Sequence, residues 1–220
     1  MPLDMKGDWN KRARDDARFY IATSIEGTEA AFDASGKSDV GHFFDGLGEL
    51  LHGDQVVLDI GCGIGRMDRH IAPRVARLVG IDVSGEMVAR ARARLGDLGN
   101  VEFVEGDGTS LRPLGDATFG LVFSHIVFQH IPRFVTRGYF REVHRVLRTG
   151  GEFVFQLPEA VPGAPQDPPD DDTFEMRFWR EEDVRAELEA CGFTWLECRR
   201  FAIDTPDLAG LNYLRLRVRK

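Results

Sequence analysis

The sequence predicts an α/β fold, a parallel sheet covered on both faces by helices. Two observations carry that reading. Short apolar runs at Val56–Ile60, Arg77–Ile81, Val101–Val104, Phe119–Phe123 and Glu152–Leu157 alternate with helical stretches at Met67–Arg74, Gly85–Leu95 and Phe134–Leu147. Strands that read as continuous apolar runs are buried on both faces, as a helix-flanked parallel sheet requires. In addition, the first strand runs straight into a glycine-rich turn, VVLDIGCGIGRM at Val56–Met67, with a helix expected beyond it. Strand, glycine turn and helix in that order place a ligand against bare backbone.

Taken in order, the chain opens with an amphipathic helix over about Trp9–Ser24, its apolar positions being Trp9, Ala13, Ala17, Phe19, Tyr20 and Ile21. A polar link around TEAAFDASGKSD follows. A second helix, about Val40–Leu51, carries Phe43, Phe44, Leu47, Leu50 and Leu51 and stops at His52-Gly53-Asp54. Residues 1–53 read as a helical cap belonging to the same domain as 54–220. SLRPLGDAT, before the fourth strand, reads as loop. PEAVPGAPQDPPDDD, residues 158–172, holds five of the ten prolines and is a surface connection or a lid. WREEDVRAELEACGF then gives a helix stopped by Gly192, and Phe193–Phe201 and Asn212–Arg219 read as two strands joined by a ten-residue loop.

Composition narrows the function. Twenty-eight basic against 36 acidic residues leave a net charge of −8, which disfavours nucleic acid and anionic membranes as partners. Arg90, Arg92 and Arg94 point to different sides of a helix and read as solvated surface. Cys62, Cys191 and Cys198 form neither a disulfide framework nor a CxxC knuckle. MPLDMKGDWNKRARDDARFY has no apolar core of the signal-peptide kind, and no run of 18 apolar residues follows. The expectation is a cytoplasmic protein, monomeric or homodimeric.

The chemistry concentrates at strand tips. In LDIGCGIG, Gly61 suits a tight turn and Gly63 admits a ligand without a Cβ, while helix N–H groups near Arg66 to Asp68 would face an anionic group. A dinucleotide turn, GxGxxG, would need glycine where Arg66 stands. The pattern present is DxGxGxG, with Asp59, Gly61, Gly63 and Gly65. An aspartate inside the turn repels pyrophosphate and suits an ammonium or sulfonium. Asp82, 23 residues after Asp59, ends the second strand near the spacing at which an acid takes ribose hydroxyls. Capping of the next helix is its plainer role, though Ser84 fills that place better. Val83 and Met87 would wall a purine or simply fill core. Asp107, in FVEGDGTS, ends the third strand, where a carboxylate can accept an adenine amino group; Asp-Gly is otherwise an ordinary turn.

Asp59 to Gly65, Asp82, Asp107-Gly108 and FGLVFSHIVFQHIP together resemble the class I S-adenosylmethionine-dependent methyltransferases, of the small-molecule type, from about Val56 to Phe201. The resemblance implies a Rossmann-like, doubly wound seven-stranded sheet in the order 3-2-1-4-5-7-6, strand 7 antiparallel, with extra N-terminal helices. It implies S-adenosyl-L-methionine as cofactor and S-adenosyl-L-homocysteine as product. The methionine part would lie on Gly61, Cys62 and Gly63 with Asp59 near its amino group. Asp82 would hold the ribose, Asp107, Gly108 and Thr109 the adenine, and Ser124 would offer a backbone carbonyl. Tyr20 of the first helix would close the pocket.

Methyl transfer needs alignment of nucleophile, methyl and sulfur, worth about 7–11 kcal/mol of barrier, and a base only where the nucleophile carries a proton to lose. His130, in a QHIP context similar to that of many such enzymes, and His125 are the candidate bases; each reads equally as a structural histidine. The pair lacks a third ligand, and Asp170–Asp172 read as solvated charge, so no metal is expected. The acceptor predicted is a small molecule methylated on oxygen or nitrogen, less readily on carbon. The absence of an NPPY-type tetrapeptide after the fourth strand argues against nucleic-acid bases and glutamine. The alternatives are a nicotinamide-dependent oxidoreductase and a non-catalytic, cofactor-binding partner subunit.

Overall fold

The computed structural model describes residues 4–22, 28–160, 167–202 and 210–220. Seven strands form one sheet in the order β3-β2-β1-β4-β5-β7-β6. They are β1 (Val56–Ile60), β2 (Arg77–Asp82), β3 (Val101–Glu105), β4 (Phe119–Ser124), β5 (Leu147–Pro158), β6 (Thr194–Ala202) and β7 (Asn212–Arg219). β1, β2 and β3 pair parallel, as do β4 and β5, whereas β7 runs antiparallel to both β5 and β6. The strand order that the resemblance implied is therefore the one observed. The chain forms two compact units, Asp4–Gly108 and Thr109–Lys220.

In the first unit, α1 (Met5–Ile21) buries Met5, Ala13 and Ala17, and α2 (Glu29–Phe43) buries Phe32, Gly36, Val40 and Phe43. The segment read as a polar link is thus a helix, capped by Thr28, whose hydroxyl accepts from Ala31 N–H at 3.3 Å. The buried positions recur at spacings of four, four and three. That stripe was hidden because one of its four members is a glycine. The stretch read as a second helix is instead the end of α2, a turn and a 3₁₀ turn at Gly48–Leu50. Val57, Leu58, Leu78 and Val79, all at most 1% exposed, form the sheet's contribution to the core.

Past the glycine turn, α3 is only four residues long, Asp68–Ile71, and a 3₁₀ turn through Pro73 ends it. α4 (Gly85–Leu95) starts at Ser84, whose hydroxyl accepts from Met87 N–H. Its arginines lie at the helix surface, with Arg92 exposed, and each has a partner. Arg90 pairs with Glu86, Arg92 donates to Phe103 O, and Arg94 meets Glu29 on α2.

In the second unit, α5 (Arg133–Val146) packs an apolar face of Val135, Tyr139, Phe140, Val143 and Val146. Phe128, Phe140, Phe153, Phe155 and Trp179 make the aromatic core here, with the Phe153 and Phe155 rings stacked at 4.3 Å. β5 begins at Leu147 rather than Glu152, because Gly150 N–H and Gly151 O pair with Lys220 and extend the ladder across a polar stretch. α6 (Glu181–Ala190) lacks a hydroxyl cap, and Arg180 instead forks onto Asp183 at 2.9 Å. Gly192, at φ 93°, stops it. Of the proline-rich segment, 161–166 lie outside the described residues. Farther along it, Asp172 accepts from the N–H groups of Phe174 and Glu175 and so closes a turn.

Candidate functional site

The glycine turn is built as its spacing required. Gly61, Gly63 and Gly65 have φ of 81°, 54° and 77°, all in the region that side chains avoid. Gly61 N–H and Cys62 N–H both donate to Ile81 O, at 2.7 and 3.2 Å, which pins the turn to the end of β2. A Cβ on Gly63 would stand 2.8 Å from Ile21 Cδ1, so the end of α1 lies over the turn. Tyr20, next to Ile21, is half-buried and meets Phe19 edge-on.

Asp82 occupies the tip of β2 and spans two elements. One carboxylate oxygen accepts from Gly63 N–H at 2.9 Å and the other from Ser84 N–H at 2.8 Å. Each oxygen keeps a lone pair for a hydroxyl. Burial pushes this acid up to about 6, against the pull of those two N–H groups. Ser84 does cap α4, and Asn10 on α1 stands at the same helix end, accepting from Ser84 Oγ and Glu86 N–H.

Asp59, at 5% exposure, and Asp68, at 0%, are buried beside the turn and in mutual contact. Burial raises both, Asp59 further through the charges of Asp68 and Asp82, and Asp68 to about 7. The start of α3 is therefore acidic. The expectation of N–H groups facing an anion there is corrected, since a four-residue helix opening on a buried carboxyl offers no anion site. Arg66, 5% exposed, is held by Asp39 at 2.6 Å and Ser35 at 3.1 Å, both on α2. Sequence reasoning missed Asp68, Asp39, Ser35, Gly36 and Asn10. Asp39, Ser35 and Gly36 lie on α2, whose apolar stripe is masked by its glycine.

Cys62 is buried, with its thiol pushed up by burial and by three nearby acids, so it acts as a small inert residue. Val83 is half-buried and abuts Gly108, whose Cβ would lie 2.7 Å from Val83 Cγ2; Gly108 sits at φ 79°. Met87 belongs to a core cluster with Ala13, Ala17, Phe32 and Ile64. Asp107 is exposed, and the preceding Gly106 N–H donates to Asp82 O. Asp59, the glycine turn, Asp82, Val83 and Gly108 are thus brought together in the first unit.

Thr109, Ser124, His125 and His130 belong to the second unit. Ser124 is buried at the end of β4, His125 is half-buried, and Ile126 holds φ 57°, a strained position for a β-branched residue. His130 has both ring nitrogens engaged. Nδ1 faces Phe174 O and Nε2 lies 3.0 Å from Gln129 Nε2. A carbonyl accepts only, so Nδ1 carries the hydrogen and Nε2 accepts. Arg177, 1% exposed, donates to His130 O, Pro169 O and Asp172 O and binds this turn to the segment after residue 167.

A family model described as a methyltransferase domain matches residues 58–155, which include the glycine turn, Asp82 and Asp107. Over those residues the chain carries a methyltransferase domain of the class I S-adenosylmethionine-dependent kind. The cofactor of that family is S-adenosyl-L-methionine and its product S-adenosyl-L-homocysteine. Among similar proteins, a sterol 24-C-methyltransferase of Eremothecium gossypii is 30% identical over 62% of this chain and 35% of its own. A trans-aconitate 2-methyltransferase of Afipia carboxidovorans is 32% identical over 47% and 38%. The chain spans between about a quarter and a half of the length of the curated relatives it matches. Among solved structures, a methyltransferase of Methanosarcina mazei superposes at TM-score 0.67 with 19% identity over 80% of this chain and 97% of that one. The [4+2]-cyclase SpnF superposes at 0.66 with 22% identity over 90% and 84%. These two likenesses show the fold, which is shared by a cyclase and a methyltransferase.

The first unit fits the family's cofactor. A half-buried carboxylate with spare lone pairs suits a ribose diol, and acids beside a backbone without side chains suit a cationic amino acid. Among the described residues no helix is long and apolar enough to cross a membrane.

Proposed function

We propose that this chain transfers a methyl group from S-adenosylmethionine to a small molecule. The supporting observation is Asp82, whose carboxylate joins the glycine turn to the start of α4 and still has acceptor capacity on both oxygens. When bound, the cofactor would supply a methyl group on a sulfonium: the acceptor bonds to the methyl carbon as the carbon–sulfur bond breaks, and the sulfur is left as a neutral thioether. Asp59 lies toward the ammonium of its methionine part, over Gly61, Cys62 and Gly63. Asp82 takes the ribose hydroxyls, and Asp107 and Gly108 the adenine. The family resemblance adds Thr109, Ser124 and Tyr20. The acceptor is an oxygen, nitrogen or carbon nucleophile. The preference against carbon loses ground here, because two relatives are named for transfer to carbon. Calorimetry with S-adenosylhomocysteine and with a nicotinamide dinucleotide tests the first step. Micromolar binding of the former alone is the expected result; binding of the latter alone would return the oxidoreductase reading.

His130 or His125 is proposed to serve the acceptor. For His130 to take a proton, Nε2 must leave Gln129, so its role as a hydrogen-bond donor to Phe174 O is the direct competitor. His130→Asn separates the two, because the asparagine amide can occupy the Nδ1 position and still donate. A positioning role leaves turnover within about threefold; a base role cuts it by about 10²–10⁴ while cofactor affinity holds.

A further inference from the structure

The cofactor reading leaves one buried group unused. Asp68 is wholly buried, and neither of its carboxyl oxygens receives an N–H or O–H from the described residues. Its neighbour is another acid, Asp59. Two carboxylates have no hydrogen between them, so this contact becomes a hydrogen bond only when one member is protonated. The surrounding charges favour keeping that proton. Asp82 faces Asp59 from β2, and Arg66 faces it from the glycine turn. The guanidinium of Arg66 is already paired with Asp39 of α2, and the nearby Cys62 thiol is neutral. One shared cation thus stands against several buried acids.

We propose that Asp68 is a positioning residue that holds the Asp59 carboxyl through a shared proton, and that binding of a ligand ammonium at Asp59 releases this proton to solvent. The inference rests on the assignment of Asp59 to the ammonium of the cofactor. Before binding, the pair carries one proton and one negative charge. Afterwards it carries two negative charges, one compensated by the ligand, and the proton has left. The pair acts as a two-position latch. Protonated, it holds Asp59 against α3; deprotonated, it turns Asp59 over to the ligand.

The test is calorimetry of the full chain with S-adenosylhomocysteine and with 5′-methylthioadenosine, which lacks the amino-acid part. Titrations at pH 7 in two buffers of different ionisation enthalpy count the protons exchanged. S-adenosylhomocysteine should release roughly half a proton or more beyond methylthioadenosine, and the ratio of their affinities should rise about tenfold between about pH 6 and pH 8. Asp82 titrates with both ligands and cancels in the ratio. Asp68→Asn replaces the shared proton with a permanent amide donor. It should flatten the ratio and abolish the extra release, which a merely structural aspartate would not do. Equal proton counts for the two ligands in the unaltered protein, or an Asp68→Asn variant that keeps the original slope, would overturn the latch. Equal affinities at every pH would remove the ammonium assignment beneath it as well. The wild-type proton count stands by itself should the variant fold poorly.

Discussion

Asp82→Ala should weaken S-adenosylhomocysteine binding by at least about tenfold, because hydrogen bonds to a charged acceptor contribute roughly 1.5–3 kcal/mol and the substitution removes all of those to the ribose. The same change leaves Gly63 N–H and Ser84 N–H without their acceptor, so the glycine turn and the start of α4 lose a common tie. Asp82→Asn keeps one carbonyl oxygen and should fall between. Isothermal calorimetry reads the affinity, and amide exchange at Gly63 and Ser84 reads the tie. Unchanged affinity in the alanine variant would end the ribose assignment. The pH dependence has a definite sign. Burial raises this acid to about 6, so ligand affinity should decline as pH falls through 6 and the carboxylate is lost. For the unliganded fold the direction reverses. A raised carboxyl favours folding fully below the ordinary aspartate value of about 3.9 and ceases to do so as pH climbs through 6.

Gly36→Ala should destabilise the protein by about 1–3 kcal/mol, typical of forced overpacking. The new Cβ would stand 2.3 Å from the carbonyl oxygen of Arg66 and 2.9 Å from its Cγ. The oxygen belongs to the backbone directly after Gly65 and cannot swing aside as a side chain can. Either α2 tilts or the glycine turn moves, and the second course should also lower cofactor affinity. Gly41→Ala is the internal control, on the same helix with nothing within 4 Å of the added methyl. It should stabilise by about 0.4–1 kcal/mol, through helix propensity and a less free unfolded chain. Thermal unfolding of the two variants should therefore shift in opposite directions. A Gly36→Ala protein melting no lower than its parent would mean that α2 does not bear on the turn.

These two residues mark what could be read in advance. Asp82 was legible because it ends a strand and its distance from the glycine turn follows from one β–α–β unit. Gly36 was not, since a glycine carries no sign that its bare surface is in use. The strands β1, β2, β4 and β7 were found nearly to the residue, because each is an apolar run or an alternation bounded by polar turns. β5 was found too short, because its first residues are held by backbone pairing with the end of the chain rather than by apolar side chains. Asp68 stood in plain view as a polar residue of an expected helix, yet nothing local revealed that a four-residue α3 would bury it.

By itself, then, the sequence determined the α/β class, the left-handed glycine turn and the acids at successive strand ends. Each is a local matter, set by side-chain volume, backbone angles and spacing along one strand or turn. Tertiary structure decided which acids share a buried space, which nitrogen of His130 holds its hydrogen, and which helix presses on the turn. Those outcomes depend on desolvation and on groups distant in the chain, and a carboxyl's charge is settled by its surroundings rather than by its name.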